Sequence, residues 1–253
     1  MKVLDYLGKI AQVCTLIRGS SANYVLTGAG ISTESGIPDY RSPETGLWQK
    51  VNPMEVASLA AFQKDPAAYY QKALERWHRW MQAEPNPAHF AIALLEKAGY
   101  VAGVVTQNVD GLHCKAGSVN FWEVHGHLRS CVCTGCGQRY PMSFLLGQFE
   151  QGVNPPLCDN CGQILRPYIV LFGDQMGDEY HQALEALGTC ELLIVAGSSL
   201  QVHPVASLPA MAKDLVIINK EPTPWDHRAT VVINESTGKV FTDILTGLDL
   251  NEL

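Results

Sequence analysis

Apolar positions recur along the chain in two periods. Over residues 3–18 they fall at helical spacing, interrupted by Asp5, Lys9 and Gln12, and stop near Gly19-Ser20-Ser21. That pattern predicts an amphipathic helix. Short continuous apolar runs follow at Asn23–Thr27, Tyr100–Val105, Glu191–Ala196 and Leu215–Ile218, with weaker ones at Ile169–Phe172 and Thr230–Ile233. Such runs predict strands, the continuous ones buried on both faces. Helical patterns lie between them at Met54–Phe62, Ala67–Met81, His89–Ala98, Tyr180–Leu187, Val205–Met211 and Val240–Leu245. Trp77 and Trp80 share one helical face, as core packing requires. Gly99 closes the helix before the strand at 100–105. Helices alternating with buried strands predict an α/β fold built on a doubly wound parallel sheet.

Four of these strands end on glycine or small polar residues, at Gly28, Gln107, Gly197 and Asn219. Ligands of wound sheets bind at the carboxyl ends of strands, so four such ends predict a nucleotide across that edge. After the first strand comes Gly28-Ala29-Gly30-Ile31-Ser32-Thr33, a turn whose backbone N–H groups can approach a phosphate free of Cβ. It departs from the dinucleotide fingerprint, because Thr33 stands where the third glycine belongs. Pro38-Asp39-Tyr40-Arg41 adds a planar donor and an aromatic face suited to a flat, charged ligand. The stretch Thr106–Gly126 is the densest in polar chemistry. Gln107, Asn108, Asp110 and His113 follow the strand directly, and His125 closes the stretch, which reads as a loop. By itself it is equally a polar loop with two hydrated histidines.

The cysteines change the picture. Cys133-Thr-Gly-Cys136 and Cys158-Asp-Asn-Cys161 are two CxxC turns, set slightly wider than most zinc ribbons. Four thiolates complete a tetrahedral Zn²⁺ and leave no open position, which makes the metal structural and puts catalysis elsewhere. A redox dithiol and an iron–sulfur site are the alternatives. Cys14, Cys114, Cys131 and Cys190 lie outside the pattern. The 253 residues are 47% hydrophobic and 17% charged, enough for a large core plus a small insert. A formal net charge of -7 without any Lys/Arg block argues against nucleic acid as the main partner and favours a basic peptide. No apolar run approaches the ~20 residues that span a bilayer, so no membrane partner is expected. The first residues lack a signal-peptide core, so a cytoplasmic, reducing compartment is expected.

Taken together, GAGIS (28–32), GIPDYR (36–41), TQNVD (106–110), HG (125–126), the two CxxC pairs and GSSL (197–200) resemble the sirtuin family of NAD-dependent protein deacylases. The likeness runs from about residue 20 to about 245, with the motifs in family order, and is to the compact, prokaryotic-type members. It implies a Rossmann-type NAD-binding domain (1–44, 86–128 and 167–253). It also implies a small domain with a helical part (45–85) and a zinc-binding part (129–166), and NAD and an acetyl-lysine peptide meeting in the cleft between the two domains. Gly28, Ala29, Gly30, Thr33, Tyr40 and Arg41 match cofactor contacts. Gln107, Asn108, Val109 and Asp110 match the pocket for the ribose and nicotinamide. Gly197, Ser198, Ser199 and Asn219 match the adenosine side, with Thr237 as a late contact. Val170, Phe172 and Gly173 match the segment that pairs with peptide.

The resemblance makes His125 the general base on a ribose hydroxyl, with Asn108 orienting water or the ribose. The implied reaction moves the acetyl group to ADP-ribose and releases nicotinamide and O-acetyl-ADP-ribose. Mono-ADP-ribosyl transfer to protein, or a non-catalytic zinc-ribbon module that binds NAD, are the alternatives. Two departures bear on specificity. Asp174 replaces a commoner glutamate. Ala73 and Arg76 fall where members that remove acidic acyl groups carry Tyr and Arg, which favours acetyl over succinyl.

Overall fold

The computed structural model describes residues 5–43, 46–49 and 51–250. The first two residues of the predicted opening helix lie outside them. In chain order the elements are α1 (Tyr6–Gly19), β1 (Asn23–Thr27), α2 (Pro53–Val56), α3 (Leu59–Lys64), α4 (Pro66–Gln82), α5 (Pro87–Lys97), β2 (Gly103–Thr106), α6 (Leu112–Lys115) and β3 (Phe121–Glu123). They continue with β4 (Gly126–Cys133), β5 (Arg139–Pro141), α7 (Met142–Glu150), β6 (Leu165–Ile169), α8 (Asp178–Leu187), β7 (Leu192–Ala196), β8 (Asp214–Ile218), β9 (Val231–Ile233) and α9 (Thr237–Gly247). Short 3-10 segments at Ala29–Ser35, Leu47–Gln49 and Val205–Met211 join them.

Six strands form one parallel sheet in the order β3-β2-β1-β7-β8-β9. The strand order reverses across β1, and this is where a wound sheet opens a crevice at its carboxyl edge. β1 and β7 are buried at every position, as their unbroken apolar runs predict. One face of the sheet packs on α1, α5 and α9 through Val13, Ile17, Ile92, Leu95, Phe241 and Ile244. The other face packs on α8 and the 3-10 segment at 205–211. A second, three-stranded antiparallel sheet has the order β5-β4-β6. It shares a third core with α4, in which Trp77, Trp80 and Tyr70 meet Leu128, Leu145 and Leu165. The Tyr70 hydroxyl donates to the Leu165 carbonyl at 2.5 Å, so the helical and cysteine-rich parts form one lobe.

Local chemistry explains where the sequence patterns and the elements part. The strand expected at 169–172 meets β6 only at its last residue, Ile169; Val170, Leu171 and Phe172 beyond it line the cleft. Val170 N–H bonds the His125 carbonyl, and Phe172 exchanges backbone bonds with Ala57 and Leu59. The helix expected over 54–62 breaks in two at Ala57-Ser58, where the Ser58 hydroxyl caps α3 through Ala61 N–H. Val205–Met211 winds as 3-10 and holds Pro209, which has no N–H for a helical ladder. The loop expected over 106–126 contains α6 and the edge strand β3, both too short to show a period.

His113 is not hydrated. It is buried on α6, its Nε2 is 3.0 Å from the Thr27 hydroxyl, and its ring lies 5.0 Å from that of His89. His89 Nδ1 accepts the Asn86 N–H at 3.3 Å, closing the capping box of α5. Burial pushes His89 down to about 4, and burial with the neighbouring His89 holds His113 well below the ordinary histidine value. Between about pH 6.5 and 4 the unfolded chain therefore binds a proton at residue 89 that the folded chain refuses, and acid favours unfolding. The unfolding free energy measured in urea should fall across that window, and His89→Asn should flatten the fall. An identical pH slope in the variant would show that this histidine is not the group that titrates.

Candidate active site

A cavity of about 540 Å³ lies between the carboxyl edge of the large sheet and the smaller lobe. Its rim on the sheet side is two loops in backbone contact. Gly28 N–H bonds the Ala196 carbonyl at 3.1 Å, and Gly30 N–H bonds the Gly197 carbonyl at 2.8 Å. A Cβ on Gly30 would sit 2.8 Å from Gly197 Cα. One on Gly197, whose φ is +62°, would sit 2.2 Å from Ile31 N. The glycines thus admit the neighbouring loop, a use the fingerprint comparison does not disclose. Thr33, in place of the third glycine, turns its hydroxyl onto the Gly30 carbonyl at 2.9 Å and ties the 3-10 turn down.

Ala29 and Thr33 line the cavity together with Tyr40 and Arg41. Asp39 braces this segment by accepting the backbone N–H groups of Arg41 and Ser42. The Arg41 guanidinium lies 4.0 Å above the Trp48 ring and 3.4 Å from the Ser199 hydroxyl. It is thereby spread across the opening as a flat cation. Gly197, Ser198, Ser199 and Asn219 line the cavity as well. Thr237, the first residue of α9, also reaches the cavity, and its hydroxyl is buried with no hydrogen-bond partner. An unpartnered buried hydroxyl facing a cavity is suited to a polar ligand.

Polar residues after β2 form the floor. Gln107 Nε2 donates to the Ser198 hydroxyl at 2.8 Å and to the Thr27 carbonyl at 3.3 Å. Asn108 Nδ2 donates to the Gly28 carbonyl at 3.2 Å and to Ser32 Oγ at 3.1 Å. Ser32 in turn donates to Asp110 at 2.8 Å, and Leu112 N–H holds the other carboxylate oxygen at 3.0 Å. Burial nonetheless raises the Asp110 pKa above the usual carboxylate value. Asn108, Val109 and Asp110 line a small side pocket with Ala29, Ile37 and Trp80.

His125 lines the main cavity, and its Nδ1 is 3.0 Å from the Gln107 carbonyl oxygen. A carbonyl only accepts, so Nδ1 carries the hydrogen and the neutral ring keeps its lone pair on Nε2. Burial lowers the His125 pKa, against the opposing pull of that hydrogen bond, and so favours the neutral form near pH 7. A neutral imidazole with a free Nε2 at a cavity wall can take a proton from a ligand hydroxyl.

Val170, Phe172 and Gly173 line the cavity as well. Both backbone groups of Phe172 are bonded to Ala57 and Leu59, which leaves it the side chain to offer a ligand. Asp174 lines the cavity too, but its carboxylate is engaged: Arg166 grips both its oxygens, at 3.2 and 2.5 Å, and Leu171 N–H adds a third bond. Ala73 is buried in the small-lobe core, whereas Arg76 reaches the cavity wall. Sequence reading gave no role to Ser32, Trp48 or Arg166. Ser32 was visible inside GAGIS, but the other two become partners only through the fold.

The four expected cysteines converge. Their sulfurs all lie within 4.8 Å of one another, with Cys133 to Cys161 at 3.3 Å and Cys136 to Cys158 at 3.7 Å. Zinc–sulfur bonds of about 2.3 Å set sulfurs about 3.8 Å apart in a tetrahedron, so the set fits one structural zinc. N–H groups of Gly135 and Cys136 point at Cys133 Sγ, the arrangement that stabilises a thiolate. Cys131 is buried, with its thiol 3.7 Å from the Tyr140 carbonyl, outside the group.

Residues 28–204 match the family model described as "Sir2 family". The chain is 44% identical over 244 residues to "NAD-dependent protein deacetylase 2" of Caldanaerobacter subterraneus subsp. tengcongensis, covering 96% of this chain and 98% of the relative. It is 42% identical over 238 residues to "NAD-dependent protein deacetylase" of Caldivirga maquilingensis, covering 92% and 91%. Among solved structures, "Sir2-p53 peptide-NAD+" superposes with a TM-score of 0.87 at 34% identity, covering 95% and 98%. "Sir2 bound to acetylated peptide" superposes with a TM-score of 0.87 at 33% identity, covering 96% and 99%. This chain belongs to the Sir2 family. No helix among the described residues is long and apolar enough to cross a membrane.

The purified protein should carry one zinc per chain by elemental analysis. Cys131→Ala should keep the metal, and Cys136→Ala should lose it and melt lower. Retention of full zinc by Cys136→Ala would remove that thiol from the ligand set.

Proposed function

We infer that this protein is an NAD-dependent protein-lysine deacetylase, and the observation that carries the reading is His125. Its tautomer is set by the Gln107 carbonyl, and its acceptor nitrogen belongs to a ring on the wall of the cavity. Relatives named as NAD-dependent deacetylases, and neighbours solved with NAD+ or acetylated peptide, support the same reading. NAD supplies the leaving nicotinamide and the ribose that receives the acetyl group. The acetyl oxygen would displace nicotinamide from the ribose carbon, His125 would then take the proton from a ribose hydroxyl so that its oxygen can attack the former acetyl carbon, and water would complete the release of the lysine amine. Asn108, held by Gly28 and Ser32, orients the ribose or water. Asp110, aligned by Ser32 and Leu112, faces the side pocket and receives the nicotinamide carboxamide.

The other contacts follow the cavity walls. The Gly28–Gly30 turn, Thr33, Tyr40 and Arg41 hold the phosphate side. Gly197, Ser198, Ser199, Asn219 and Thr237 hold the adenosine side. Gln107 and Val109 line the ribose and nicotinamide end, and Val170, Phe172 and Gly173 the peptide channel. The products are the lysine peptide, nicotinamide and O-acetyl-ADP-ribose. The metal-bearing lobe shapes the cleft and supplies no reacting atom.

Acetyl is the favoured acyl group, because Ala73 offers no hydroxyl to a longer, acidic chain. A second reading has a specific observation behind it. Arg76 and Tyr69 line the same cavity, and Arg76 Nε and the Tyr69 hydroxyl are buried with no hydrogen-bond partner. A guanidinium and a phenol so placed would suit a carboxylate-bearing acyl chain.

His125→Ala should lower peptide-dependent product formation by roughly 10²–10⁴-fold. In the parent protein, the acid limb of kcat/KM should lie below the ordinary histidine value of about 6.5 and should be absent from the variant. Full turnover in His125→Ala would end this mechanism. Acetyl-lysine peptide should be consumed faster than its succinyl counterpart. The reverse order, abolished by Arg76→Met, would install the second reading.

A further inference from the structure

The buried histidine on α6 does not touch the cavity, yet it is joined to the proposed base by a short series of hydrogen bonds. His113 Nε2 is 3.0 Å from Thr27 Oγ1. Thr27 ends β1, the strand at the middle of the sheet, and both residues are withdrawn from solvent. The Thr27 carbonyl accepts from Gln107 twice, from the backbone N–H at 3.0 Å and from Nε2 at 3.3 Å. The next carbonyl, on Gly28, accepts from Asn108 Nδ2. The Gln107 carbonyl then holds His125 Nδ1.

The Gln107 and Asn108 side chains are therefore bonded to two successive carbonyls at the end of β1, and His125 is reached one step further on, through the Gln107 carbonyl. The Thr27 hydroxyl is the side-chain anchor of that end, and among the described residues His113 is its only side-chain partner. Without His113 the hydroxyl would be a buried polar group with no partner, which is unfavourable. The strand end would relieve it by turning. A shift of about 1 Å in a positioning group can cost as much as ~10²-fold in rate.

We propose that His113 is a positioning residue which, through the Thr27 hydroxyl, holds the end of β1 on which the Gln107 peptide is seated, and so places the Gln107 carbonyl that sets the His125 ring. It stays uncharged in the interior and exchanges no proton with the substrate. His89 packs on its ring and keeps the ring in place. This rests on the deacetylase reading given above, in which the base acts after nicotinamide has left. Misplacing the base then slows acetyl transfer more than it slows the reversible nicotinamide step. Simple loss of folded protein lowers both in proportion.

The test compares Thr27→Val, Thr27→Ser, His113→Phe and His113→Gln in the full chain. Two rates are measured on each: acetyl-peptide consumption, and exchange of labelled nicotinamide into NAD in the presence of peptide. Thr27→Val and His113→Phe should lower kcat for consumption roughly tenfold while exchange and the peptide KM stay within about twofold. Thr27→Ser and His113→Gln, which keep a polar atom at the junction, should track the parent protein in both rates. If His113→Phe does not fold, Thr27→Val carries the comparison, because it preserves shape and removes only the hydroxyl's hydrogen bond. Parallel loss of both rates in the Val and Phe variants, or no loss in either, would overturn the proposal. If the parent protein shows no peptide-dependent nicotinamide release, the deacetylase reading itself fails, and the proposal with it.

Discussion

The hydrogen bond from His125 to the Gln107 carbonyl is the interaction on which the site depends. It decides which ring nitrogen carries the hydrogen and leaves the other as an acceptor at the cavity wall. It also competes with burial over the charge of the ring, and burial has the larger effect. A histidine with that tautomer and a lowered pKa is a base at neutral pH. The same ring protonated would be only a fixed cation. The chemistry of the cleft thus follows from one backbone carbonyl, itself placed by the parallel ladder between β1 and β2.

The wound sheet supplies the remaining constraint. Bringing the turn after β1 against the turn after β7 needs backbone contacts that a Cβ would block, and Gly30 and Gly197 permit them. Once the loops touch, their outer surfaces make a polar wall across the carboxyl edge. The smaller lobe closes over it through a core shared by α4 and the β5-β4-β6 sheet, pinned by Tyr70. Arg166 holds Asp174 there as a partly buried, bidentate pair, so that aspartate is committed to shaping the cleft rim. The four-sulfur cluster lies at one end of this lobe, joined to the cleft through β4 and β6.

Much of this was legible in the sequence, and the reasons are physical. Strands buried on both faces leave unbroken apolar runs, so β1, β7 and β8 were readable to within a residue. Paired thiols at fixed spacing announce a tetrahedral site because turn geometry leaves few other uses for them. Polar residues at strand ends marked the cleft because the wound topology puts those ends on one edge. What sequence could not supply was pairing over distance. Nothing local distinguishes His125, held by a carbonyl, from His113, sealed against Thr27. Nothing local shows that Gly197 packs on Ile31 or that Trp48 carries Arg41. Ile169–Phe172 looked like sheet because all four residues are apolar and Ile169 and Val170 are β-branched, whereas beyond Ile169 its backbone bonds are shared between His125 and the α2–α3 link.

The central claim concerns one proton on one ring, and nitrogen-15 NMR of His125 reads it directly. The account predicts a neutral ring at pH 7 with the hydrogen on Nδ1, and a titration midpoint below the ordinary histidine value of about 6.5. A ring that is protonated at pH 7, or neutral with its hydrogen on Nε2, would contradict it.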